Sequence, residues 1–274
     1  MRLTFLESVR RRIAIAAFIL GLAFLILYGI GFHYTCKSFP SKNGPREMLI
    51  KNQVFNFLST AGLYAVNFLT LAMGALIASD TLAGEIASGT IQTIVSKPLR
   101  RSEIVWGKWL GFAVLLAIYL FFMAGGVMGI VYLRSGYQMR HIFAGAGLIY
   151  LESLLIMTIS LACSSTFSTL ATGGTVFGLY GLGFIGGWVE QIGATLKNQI
   201  AVNIGIFSSL IIPSEALWKR AAYELASPVV RSLGIAAGPF GAVSVPNPLM
   251  IVYACLYLIA MLAIAIRQFS RRDL

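Results

Sequence analysis

Residues 142–189, IFAGAGLIYLESLLIMTISLACSSTFSTLATGGTVFGLYGLGFIGGWV, carry a single charged side chain, Glu152. A hydrocarbon core about 30 Å thick is crossed by roughly 20 apolar residues of helix, so this run is too long for one crossing and fits two joined by a short turn. The polar cluster SSTFST at 164–169 marks that turn and leaves spans at 142–163 and 172–189. Working outward by the same rule, uncharged runs of span length occupy 13–32, 55–79, 110–133 and 248–266, the last with Pro248 as a helix-opening residue. The expected fold is an all-α integral membrane protein with six transmembrane helices.

Composition agrees: 58% of the 274 residues are hydrophobic and 11% charged, where a soluble domain averages about 25% charged. Mean hydropathy is +0.82. The net charge of +11 would suggest nucleic acid in a soluble protein. Here the basic residues flank or connect apolar runs and no recognition motif accompanies them, so they read as topology signals and lipid headgroup contacts, with no nucleic-acid partner. Cys36, Cys163 and Cys255 form no CxxC pair; the latter two read as small buried hydrophobes.

The arginines at 2, 10, 11 and 12 ahead of an apolar run have the outline of a secretory signal, but the run is about 20 residues long, beyond a typical signal core. The HYTCKSFP after it offers no A-x-A-like cleavage site, so 13–32 is expected to stay as the first span. Before it, MRLTFLESVRRR places Leu3, Leu6 and Val9 at helical spacing, which suits an amphipathic helix over 1–12 lying on the membrane surface. Glycines repeat at G-x-x-x-G spacing at Gly125/Gly129, Gly174/Gly178 and Gly183/Gly187, a sign of close packing within a bundle or a dimer.

Six spans place both termini on one side. With the termini inside, 11 of the 21 basic residues lie inside and 10 outside; long translocated segments weigh less, which favours cytoplasmic termini in a cell (inner or cytoplasmic) membrane. Residues 190–247 are mixed: apolar pieces such as IAVNIGIFSSLII alternate with Lys197, Lys219, Arg220 and Arg231 and with prolines 213, 228, 239 and 246. This segment is expected to be external or partly re-entrant.

On that topology the loop 80–109 is cytoplasmic. A short helix is expected from Thr81 toward Ala87, broken at Gly89; Pro98 stops the hydrophobic stretch leading up to it, and Ser102 and Glu103 restart a helix into the membrane. Within ASDTLAGEIASGTIQTIVSKPLRRSEIVWGKWLGF, Glu85 is followed four residues later by Gly89-Thr90, then by a hydrophobic stretch, Ser96-x-Pro98, Arg101 and Gly107-Lys108. This pattern resembles the permease subunits of type-2 ABC transporters, with Gln92 where a Glu is frequent. The weaker likeness of SSLIIPSEALWKRAAYEL points to the branch of multicopper-enzyme-maturation permeases, although two histidines without a Met or Cys cluster make a poor copper site.

The resemblance implies a cytoplasmic coupling helix between the second and third spans that docks on a cytosolic ABC ATPase subunit, using Glu85, Gly89, Thr90, Ser96, Pro98, Arg100, Arg101 and Lys108. It also implies a second permease chain, as homo- or heterodimer, and export as the direction of transport. No G-x-x-x-x-G-K-[ST] loop occurs, so ATP and Mg belong to the partner ATPase, no cofactor is expected on this chain, and the chain is not itself an enzyme.

Glu152 sits near the middle of its span, where a carboxylate costs roughly 2.5–3.5 kcal/mol on insertion scales, so it should face the bundle interior. It reads either as a polar contact along the transport path or at the gate, or as a protonated or hydrogen-bonded packing residue against Asn56 or Asn67. An ion-coupled secondary carrier using Glu152 is the competing function, but carriers concentrate ionisable groups and repeats near the midplane. An intramembrane enzyme lacks paired carboxylates, H-E-x-x-H or a nucleophile elbow here.

Overall fold

The computed structural model describes residues 12–38, 44–87, 101–226, 240 and 244–271. These contain the helices α1 (Arg12–Ser38), α2 (Pro45–Ala87), α3 (Arg101–Ser135), α4 (Ile142–Ser164), α5 (Thr169–Thr195), α6 (Gln199–Ile211), α7 (Ser214–Leu225) and α8 (Leu249–Arg271). Six of them, all but α6 and α7, are long and apolar enough to cross a membrane. The surface helix expected over 1–12 lies outside the described residues, except that Arg12 opens α1.

One expectation is corrected at the end of α2. Residues 81–87 do not form a separate short helix; the helix of the second span runs through them without a break. The polar residues there stay helical by satisfying themselves, Ser79 Oγ donating to the Leu76 carbonyl and Thr81 Oγ1 to the Ile77 carbonyl. At 1.5 Å per residue the 43-residue α2 is about 65 Å long, roughly twice the hydrocarbon thickness.

The bundle is organised around α4, which packs against α2, α3, α5, α7 and α8. From Leu148 to Ser164 none of its residues is exposed. It runs parallel to α2, with Ser160 Oγ donating to the Ala75 carbonyl at 2.7 Å. At the end of the bundle where α4 turns into α5, Ser165 Oγ meets Gln268 Oε1 of α8 at 2.9 Å. The peripheral helices turn large apolar side chains outward, among them Leu27 on α1, Phe121 and Leu133 on α3 and Leu256 on α8.

Between the fifth and last spans, α6 and α7 form a hairpin bent by 107° at Ile212–Pro213. The chain reverses out of α5 through Lys197 in the left-handed region (φ 56°), and Asn198 caps α6 by accepting from the backbone N–H groups of Ile200 and Ala201. At about 20 and 18 Å neither arm alone is long enough to cross 30 Å of hydrocarbon.

Absent side chains let this hairpin sit against α5. A Cβ added at Gly186 would lie 2.0 Å from Ser208 Oγ, and one at Gly187 would lie 2.2 Å from Glu215 Cγ. On the facing arm, a Cβ at Gly205 would meet the Gly186 carbonyl at 2.6 Å. Of the three G-x-x-x-G pairs, Gly183/Gly187 packs within the chain, whereas Gly125/Gly129 and Gly174/Gly178 face open space.

A buried ion pair closes the arrangement: Lys219 Nζ of α7 lies 2.8 Å from Glu190 Oε2 of α5, and Ser244 Oγ donates to Glu190 Oε1 at 2.7 Å. Trp218, 1% exposed, stacks edge-on against Tyr64 of α2 with ring centroids 4.8 Å apart.

Two substitutions test this seating by thermal unfolding in detergent. Gly186→Val should lower stability by about 1–3 kcal/mol through overpacking, while Gly181→Val, at an open position on the same helix, should be near neutral. Lys219→Met should cost about 3–5 kcal/mol by leaving Glu190 buried without its cation, and the double change Lys219→Met/Glu190→Leu should recover most of that loss.

Candidate functional site

Two regions carry the candidate function, one at the α2–α3 connection and one inside the bundle. At the connection, Glu85 lies in the last turn of α2 and Arg101 is the first residue of α3. Gly89, Thr90, Ser96, Pro98 and Arg100 fall outside the described residues. Gly107 has open space beside it, whereas Lys108 is buried at 5% exposure. The basic side chain therefore lies against the bundle, with its aliphatic stem available for packing.

Immediately inside this point α3 is fixed to the central helix. Trp109 Nε1 donates to Thr158 Oγ1 of α4 at 2.8 Å, and the Thr158 hydroxyl donates onward to the Leu154 carbonyl at 2.6 Å. Trp106 packs edge-on against Trp109 with centroids 5.8 Å apart, and Val105 and Phe112 are buried on either side. The start of α3 is thereby held to α4 by a directed hydrogen bond and close packing.

The second region surrounds Glu152, which is 0% exposed on α4. Its polar neighbour on α2 is the side chain of Asn67, although neither Glu152 oxygen meets strict hydrogen-bond geometry among the described residues. Asn56, the other expected partner, is engaged elsewhere, accepting from Tyr137 Oη at 3.0 Å. Glu215, from the tip of the hairpin, is 4% exposed and lies within electrostatic reach of Glu152, with Glu190 and Lys219 behind it. Tyr64 of α2 and Tyr180 of α5 complete the surround. Beyond the ion pair, a cavity of about 450 Å³ opens between the hairpin and α8, lined by Glu190, Ser209, Leu210, Pro246, Met250 and Tyr253 among others.

Sequence reasoning singled out Glu152 but missed Glu190, Glu215 and Lys219. The available signal was the spacing within SEALWK, where Glu215 and Lys219 stand four residues apart on one face of a helix that starts just after Pro213. Cys36, Cys163 and Cys255 are free thiols and half-buried.

Comparison with known proteins bears on the chain as a whole. The family described as ABC-2 family transporter protein matches residues 2–274. The probable ABC transporter permease protein NosY of Stutzerimonas stutzeri is 28% identical over 102 residues, which cover 37% of this chain and 37% of that protein. With six helices long and apolar enough to cross a membrane and a family match along its whole described length, the chain belongs to the ABC-2 family of transporters and is a membrane permease of that family.

Proposed function

We propose that this chain is one half of the membrane domain of an ATP-driven exporter, paired with a second permease chain and driven by separate cytosolic ATPase subunits that dock on residues 80–109. The observation that carries the reading is mechanical. The Glu85–Lys108 pattern sits where α2 ends and α3 begins, and α3 is tied within a few residues to the central helix by the Trp109–Thr158 hydrogen bond. ATP and Mg bind on the ATPase. Closure of two ATPase subunits would push the paired α2–α3 elements and re-pack the bundles between two access states. Glu85 and the Lys97, Arg100, Arg101 run supply opposite charges for that joint.

The open glycine faces of α3 and α5, Gly125/Gly129 and Gly174/Gly178, support a second chain, since small residues let helices of partner subunits approach closely in a membrane. The family match favours this function over an ion-coupled carrier built on Glu152.

Mild-detergent purification from the native membrane should bring down a Walker-type ATPase, with two permease chains per complex by native mass spectrometry; recovery of this chain alone would count against the assembly. Glu85→Lys or Arg101→Glu should reduce stimulated ATPase activity at least tenfold while membrane insertion is unchanged. Thr158→Val, which leaves the Trp109 N–H without its acceptor, should keep the ATPase bound yet lower stimulation severalfold. Full activity in all three variants would overturn the coupling route.

A further inference from the structure

At the end of the bundle remote from the α2–α3 connection, the last turns of α1 and α3 meet the start of α2. Phe32, Phe55 and Val131, one from each helix, form a small buried cluster of their own, with the two rings 5.4 Å apart. Basic side chains crown this cluster. His33 and Lys37 stand one turn apart on one face of α1. Lys51 Nζ lies 5.7 Å from the centroid of the Phe55 ring, and Arg134 follows Val131 in the last turn of α3. Arg134 is an electrostatic neighbour of both His33 and Cys36, with Lys37 beside His33 and Lys51 beside Cys36.

These charges are not balanced within the chain. Lys37, Lys51 and Arg134 are exposed, and none has an acidic partner among the described residues. Glu47 is the one acid in residues 28–56, and residues 127–151 contain none. Glu47 turns toward Gly44, where an added Cβ would lie 3.9 Å from its Oε2. Helix dipoles contribute about half a charge per terminus, negative where α1 and α3 end and positive where α2 begins, so together they offset only about half of one charge. More than one positive charge is left over.

The depth of the crown says what meets it. Lys37 lies about 38 Å along α1 from Arg12, against about 30 Å of hydrocarbon and 40–45 Å with the headgroup layers. With Arg12 at one boundary, the crown lies in the opposite headgroup layer. Tyr34 and Tyr132 are exposed beside it, as aromatic side chains are at membrane interfaces. Leu133 points outward, and within two turns of Arg134 a cavity of about 300 Å³ has Val127, Met128, Val131 and Tyr132 as its α3 wall.

We propose that this crown is a headgroup site for an anionic phospholipid, with the phosphate held by Lys37, Lys51 and Arg134 and an acyl chain lying along the α3 wall of the cavity. An anionic headgroup fits better than a zwitterionic one, because no carboxylate faces the crown to pair with an ammonium group. The bound lipid ties the end of α1 to the two helices it packs against, α2 and α3. The site depends neither on the ATPase nor on the direction of transport.

The test is native mass spectrometry of the full chain, reconstituted in nanodiscs of equal parts phosphatidylcholine and phosphatidylglycerol and released into mild detergent. Phosphatidylglycerol should be retained preferentially, by roughly fivefold for each basic side chain engaged. Lys37→Gln/Lys51→Gln/Arg134→Gln should abolish the preference. Arg134→Gln alone should reduce it roughly fivefold and covers the case in which the triple variant fails to reconstitute. Arg267→Gln/Arg271→Gln, at the other end of the bundle, should leave most of it. Equal retention of the two lipids, or an undiminished preference in the triple variant, overturns the proposal. Displacement of phosphatidylglycerol by inorganic phosphate or polyglutamate at constant ionic strength overturns it in favour of a water-borne anion.

Discussion

No water is available inside a hydrocarbon layer to satisfy a polar group, and the packing around α4 depends on where the polar groups of α4 and α2 can be satisfied. Much of the polarity is handled locally. Ser59, Thr60 and Thr70 on α2 and Ser153 and Thr158 on α4 return their hydroxyls to carbonyls one turn back on the same helix, so they can be buried without a partner helix. What cannot be satisfied that way, a carboxylate in mid-span, is surrounded by other protein. This explains why α4 is enclosed from Leu148 onward while α1, α3 and α8 present apolar side chains outward.

The hairpin α6–α7 is the second consequence. The spans packed around α4 leave a side that α7 fills, with Leu225 against Gly145 and Glu215 against Gly187. Its inner surface is polar where it meets α5 and aromatic where it meets α2, at Tyr64 and Trp218. The Glu190–Lys219 pair across this contact contributes position more than net energy, because desolvation of both charges offsets much of their attraction. Breaking it from one side is another matter, since the remaining charge is left buried.

The six spans were legible because hydropathy over about 20 residues is a local property. The hairpin was less so. Its arms of 13 and 12 residues fall below span length, and its ion pair joins residues 29 apart in the chain, which composition cannot register. The same holds for Glu152: its interior orientation could be read from the cost of exposing it, but the choice of Asn67 over Asn56 depended on α2 and α4 running parallel with Ala75 opposite Ser160. The continuation of the second helix was harder to read. The charged residues after Ser79 announced an exit from the membrane near the end of the candidate span at Thr81, but exit from the membrane is not the end of a helix, which continues to Ala87. The glycine repeats show the limit of a short motif, since identical spacings serve an internal contact at Gly183/Gly187 and an open face at Gly174/Gly178. Of the coupling pattern read from the sequence, Glu85 falls in the last turn of α2 and Arg101 opens α3.

These features meet on one helix. Thr158, which receives Trp109 from α3, and Glu152 are six residues apart on α4, about 9 Å along its axis. Thr158 faces the element entering from the α2–α3 connection, and Glu152 faces the hairpin that enters from the opposite end. Tightly packed helices translate or rotate as units because the close packing around them resists local deformation. The residue that receives α3 and the buried acid of the bundle thus share one tightly packed helix.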